Sequence, residues 1–122
     1  MKIVKILTLL SIVLAGNLVQ IIFPPKTAGA GDILDGTIWS YKRNGKVLAD
    51  YVFSKGLYVY TTYEFDKEFP GEYRLKGNTV EMHDTILDTL EEGKINGDKM
   101  TVALIDEKGK KIGDSIVYTK EQ

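Results

Sequence analysis

Two turn signals twenty residues apart, Gly77-Asn78 and Asn96-Gly97-Asp98, constrain this chain more than any other feature. Pairings of Asn or Asp with Gly suit tight hairpins, because both central residues of a type I′ turn need positive φ. Each signal is preceded by Gly-x-(Tyr/Ile), at Gly71-Glu-Tyr73 and Gly93-Lys-Ile95, and followed by a strand led by Val80 or Met100. The stretch 71–105 therefore reads as an antiparallel meander. Its turns fix an architecture but name no chemistry.

The same rhythm extends in both directions. After a lead-in loop at 31–36, a first strand runs Ile38 to Arg43 and ends at Asn44-Gly45. A second runs Lys46 to Ser54 and a third Leu57 to Asp66, joined by Lys55-Gly56. Both are rich in Tyr, Val and Phe, which suit a pleated, half-buried surface. Phe69-Pro70-Gly71 reads as a turn, since Pro presets φ and Gly permits its positive range. Further strands follow at Glu72 to Lys76, Thr79 to His83, up to Ile95, Lys99 to Ile105 and Ser115 to Lys120. Segment 84–92 reads as a helix or a loop, with Asp84 available to cap a helical turn before Ile86, Leu87 and Leu90, or equally as an extension of the fifth and sixth strands into a longer hairpin. Eight short antiparallel strands predict an all-β up-and-down barrel, a closure that leaves no open edge.

Period-2 alternation assigns the faces. Val47, Ala49, Tyr51 and Phe53 share the inner face of the second strand, with Asp50 outside. The third strand places Leu57, Val59, Tyr63 and Phe65 inside, and Tyr58 and Tyr60 outside as a contact surface. Tyr73 and Leu75, then Val80 and Met82, then Met100, Val102 and Leu104 complete the interior. The aromatics crowd the first four strands. An eight-stranded barrel is just wide enough to be filled by its own side chains, so most of them are expected to be core, with at most a shallow pocket at one end.

The N-terminus reads differently. Lys2 and Lys5 precede an uncharged apolar run, Ile6 to Phe23; Pro24-Pro25 breaks it and Ala28-Gly29-Ala30 offers a small-residue cleavage site. The expected division is a signal peptide at 1–30 and a barrel domain at 31–122, with export to the periplasm or medium. The alternative is a membrane anchor through residues 3–23, whose length suffices to span a bilayer. Leu14-Ala15-Gly16 resembles the front of a lipoprotein signal, but the chain contains no cysteine, which excludes thiol lipidation, disulfides and thiolate metal sites. Removing 30 of 122 residues leaves 13 basic and 17 acidic side chains. With no basic cluster among aromatics, nucleic acid is not an expected partner.

With Gly36-Thr-Ile-Trp39 on the first strand, the chain resembles the lipocalin-like small β-barrels of exported bacterial proteins. The likeness continues through Tyr51-x-Phe53-x-x-Gly56-x-Tyr58, Gly71-x-Tyr73-x-x-x-Gly77-Asn78-x-Val80 and Gly93-x-Ile95-x-Gly97-Asp98-x-Met100-Thr101. It implies an eight-stranded barrel and, by analogy, a small hydrophobic ligand. It transfers no catalytic residue.

Other chemistries lack their parts. His83 is the only histidine, expected to face solvent, and has no second nitrogen or thiolate to share a metal. The acid pairs, Glu91/Glu92 among them, read as solvated surface, and no Gly-x-Ser-x-Gly elbow accompanies the histidine. The expected function is a non-enzymatic exported barrel binding a small apolar or amphipathic ligand, without a cofactor. The candidate ligand residues are Trp39, Tyr41, Tyr51, Phe53, Tyr63, Tyr73, Met82 and Met100. The alternative is a cell-envelope protein-interaction module using the outer barrel face. The membrane would be met only through an uncleaved N-terminal segment.

Overall fold

The computed structural model describes residues 32–122. The cleavage and anchoring expectations for the N-terminal segment lie outside the described residues. Eight strands follow one another: β1 (Ile38–Arg43), β2 (Lys46–Ser54), β3 (Leu57–Thr62), β4 (Lys67–Lys76), β5 (Thr79–Asp84), β6 (Thr89–Asn96), β7 (Lys99–Ile105) and β8 (Lys111–Lys120). Each pairs antiparallel with the next, and β8 returns to β1 through Trp39↔Lys120 and Ser40↔Thr119. The protein is a closed up-and-down barrel.

Turn chemistry explains the register. The hairpins at 77–78 and 97–98 carry positive φ only at the first central residue, Gly77 and Gly97. That is the II′ arrangement, with glycine leading, rather than the I′ expected from the Asn-Gly pairing. Asn44-Gly45 does have positive φ at both positions, and so does Lys55-Gly56.

Several boundaries differ from the sequence expectation, β8 among them, which begins at Lys111 rather than Ser115. β3 ends at Thr62, and residues 63–66 form the turn that had been expected at Phe69-Pro70-Gly71. β4 runs straight through Pro70, whose carbonyl accepts from the Thr85 amide at 3.1 Å. Amide and carbonyl of one strand residue point to the same side, so the absent N–H of Pro70 faces β5 beyond its last pair, Gly71↔Asp84. No ladder bond is lost there. Segment 84–92 takes the longer-hairpin alternative rather than helix or open loop: residues 85–88 make a tight turn and β6 begins at Thr89, paired with Asp84. The Asp84 carboxylate does cap, but it caps this turn, accepting from the Ile86 and Leu87 amides at 2.8 and 2.9 Å.

The facing of β3 is the opposite of the expectation. Across the two-residue turn, Phe53 pairs directly with Tyr58. Directly paired residues share a face, so Tyr58 and Tyr60 turn inward with Phe53 and Tyr51, and Val59 turns outward. Tyr58 lies across β4 at Gly71, where a Cβ would come within 2.3 Å of its ring. Only glycine admits that approach. The outer wall of β1–β4 is also drier than alternation suggests: Ser40, Asp50, Val52, Val59 and Thr61 are buried. Tyr63 folds back from the turn so that its hydroxyl donates to Asp50 Oδ2 at 2.8 Å.

Candidate functional site at the open end

Antiparallel alternation sorts the connections into two ends. Residues 32–37 and the turns at 55–56, 77–78 and 97–98 close one end; the turns at 44–45, 63–66, 85–88 and 106–110 ring the other.

The first end is plugged. Asp32 Oδ1 accepts from the Leu34 and Asp35 amides at 2.9 and 2.8 Å, bending the lead-in into a turn. Tyr73 donates its hydroxyl to Asp32 Oδ2 at 2.9 Å, and the Gly36 and Phe53 amides exchange bonds with Phe53 and Thr37 carbonyls. These contacts drive Leu34 fully into the barrel, where it packs with Trp39, Phe53, Tyr73, Met82 and Met100. The Phe53 and Tyr73 rings meet edge to face at 5.1 Å, a favourable aromatic geometry.

The second end is open. Below its rim lies a cavity of about 280 Å³ whose floor is a tyrosine cluster. Tyr51 lies 4.7 Å from Tyr60 and 4.9 Å from Tyr118, ring centre to ring centre. Phe69, Val102, Leu104 and Ile116 supply apolar wall, while Asp84, Glu91 and Asp114 supply carboxylates. A register irregularity widens this side: Val102 pairs with Ile116 but Leu104 with Ile112, so β8 spends extra residues around Gly113 and Asp114. Above the cavity the turns expose Phe65 (68%), Ile86 (62%) and Leu87 (58%), and Leu87 also lines the opening.

The electrostatics follow from burial. Desolvation holds the Tyr51, Tyr60 and Tyr118 hydroxyls above their ordinary titration range; they are donors at neutral pH, not bases. Glu91 is pushed up to about 7, first by burial and further by the Asp84 carboxylate, with a Tyr51 hydrogen bond pulling the other way. Asp84 and Glu91 are diagonal neighbours on one inner face, since Asp84 pairs with Thr89 and Met82 with Glu91.

Of the residues singled out from sequence, Tyr51 lines this cavity. Trp39, Phe53, Tyr73, Met82 and Met100 are buried at the plugged end. Tyr41 is half-buried, meets Tyr118 at 6.2 Å and accepts from Arg43 Nη2 at 2.9 Å. Tyr63 sits outside, on Asp50. The structure thus divides the set rather than gathering it. The lining residues not anticipated include Phe69, Ile116, Asp114, Tyr60, Tyr118, Asp84 and Glu91. A signal for the last two existed: counting back by twos from Ile95 gives Gly93 and Glu91, and counting on from Val80 and Met82 gives Asp84.

On the outer wall, a groove of about 390 Å³ runs past Arg74, Glu81, His83, Leu90 and Ile105, and also touches Met82 and Glu91. Its charges are spent locally. Arg74 donates twice to Glu81 Oε1, at 3.2 and 2.9 Å, and His83 Nε2 lies 2.7 Å from Asp88 Oδ1. Among the described residues, no group of three or more His, Asp or Glu is placed to hold a metal ion. No family model, no curated protein and no solved structure matches this chain.

Proposed function

We propose that this chain is a non-enzymatic, exported barrel of the lipocalin-like kind that holds one small amphipathic ligand at its open end. The observation that carries the reading is the asymmetry of the interior: one end is filled by its own side chains, and the other keeps a cavity of about 280 Å³ beneath exposed apolar residues. Ligand sites are concave, mostly apolar and furnished with a few convergent polar groups, and this volume lies just below their usual range, which suits a small ligand. The polar groups here suit holding rather than reacting, because buried neutral phenols orient a ligand without taking its protons. The outer-face interaction reading loses the residues that motivated it, since Tyr58 and Tyr60 point inward.

Native mass spectrometry of gently purified protein, with uptake of the neutral dye Nile red, tests this reading. The expected result is one bound molecule per chain, abolished by Val102→Trp, which fills the cavity. No bound mass and no dye uptake by the unmodified protein would overturn it.

A further inference from the structure

The open-end cavity is charged on one sign only. Asp84, Glu91 and Asp114 line it, and among its described lining residues there is no Lys, Arg or His. Asp84 is 5% exposed, and the turn amides engage only its Oδ1, leaving Oδ2 without a hydrogen-bond partner among the described residues. Glu91 stands diagonally across the β5–β6 ladder on the same inner face. Diagonal positions lie roughly 7–8 Å apart in a sheet, a gap that one small polar head can bridge. Two carboxylates in an apolar enclosure repel each other and are poorly solvated, and a buried charge of this kind is ordinarily paired. Among the described residues that line the cavity, none carries the positive charge that would pair with them.

We propose that the ligand is a small organic cation with an apolar body, its ammonium seated between Asp84 and Glu91 and its body against Leu87, Val102 and Ile116. The inference rests on the reading of the open end as the binding site. The rings of Tyr51, Tyr60 and Tyr118 add aromatic faces that attract a cation once water is excluded. They also favour an organic ammonium over a hard metal ion, which asks for six or more oxygen ligands. An anionic amphiphile such as a fatty acid meets repulsion at the same place.

Calorimetric titration at pH 8 with octylammonium, octanol and octanoate separates the charge from the chain. Octylammonium should bind at least ten-fold more tightly than octanol, and octanoate most weakly. Glu91→Gln should weaken octylammonium about ten-fold and leave octanol within two-fold; Asp84→Asn, which retains the capping oxygen, should act in the same direction. Equal affinity for octanol and octylammonium, or a preference for octanoate, overturns the cationic assignment while leaving the open-end site standing. Failure of all three to bind overturns both. Should either variant fail to fold, the ranking measured on the unmodified protein decides alone.

Discussion

The two ends of this barrel are made by the same strands and do opposite things. On β5 the inner face reads Val80, Met82, Asp84; on β6, from the same end, Ile95, Gly93, Glu91; on β8, Tyr118, Ile116, Asp114. Each run starts with apolar or aromatic residues deeper in the barrel and reaches a carboxylate toward the mouth. Inward-facing and apolar are therefore separate properties. A side chain's face follows from its parity along the strand, while its tolerance for charge follows from its depth along the barrel axis. The plugged end contributes stability, and the open end gives some of it up to keep a cavity.

The sharpest way to break this contrast is to remove matching leucines. Leu34→Ala, at the fully buried plug, should cost about 2–5 kcal/mol, the range for a buried leucine truncation. Leu87→Ala, on the exposed rim, should stay within about 0.5 kcal/mol. Urea denaturation of the two variants checks both values, and similar midpoints would erase the distinction between the ends.

The next effect is a pH dependence located at the open end. Glu91 titrates near 7 when folded, against an ordinary 4.5. Below about 4.5 both folded and unfolded chains hold the proton; between 4.5 and 7 only the folded protein does. Stability from this group is therefore fully present at low pH, falls as pH rises through 7, and is flat above, by on the order of 1–3 kcal/mol in total. Glu72 on the outward side of β4, pushed up to about 7 by burial and opposed by His83, adds a loss of the same sign. Comparing urea midpoints at pH 5 and pH 8 isolates the first group: Glu91→Gln should lose less stability over that interval than the unmodified protein. Identical losses would mean that Glu91 is not held protonated by its surroundings.

The smallest effect returns to the plug. Tyr73→Phe removes the hydroxyl that donates to Asp32 but leaves the carboxylate on its two backbone amides. A loss of about 1 kcal/mol is expected, the usual net value of one hydrogen bond. Amide exchange should show faster opening confined to residues 32–37, with the tyrosine floor of the mouth unaffected.

Much of the barrel was legible in the sequence, because turns and alternation are local signals. The bounds of β1, β2 and β7 follow from Asn44-Gly45, Lys55-Gly56 and the Gly97-Asp98 hairpin. Pro70 misled, because a proline costs a strand nothing where its nitrogen faces past the end of a ladder. Tyr58 misled because its parity was taken from the strand's own pattern rather than from Phe53, its partner across the turn. The aromatic cluster was visible, but its division between plug and mouth was not. That division depends on Leu34 entering from the lead-in, a contact fixed by Asp32 and Tyr73, which are 41 residues apart. Glu91 was hidden for a chemical reason: adjacent acids suggest solvent unless the strand is followed far enough to give them a side.

The closure between β1 and β8 bears on what the cavity can accept. Its two ladder pairs, Trp39↔Lys120 and Ser40↔Thr119, with the bond from Glu121 N to Ile38 O, all sit toward the plugged end. Toward the mouth, the edge contact of Tyr41 on Tyr118 stands in place of ladder pairing. Mechanically, the cylinder is a split sleeve, riveted at its base and free at its lip. Spreading the lip along that line would part Tyr41 from Tyr118 and leave every ladder pair intact, which makes this seam the line of least resistance to anything wider than the cavity.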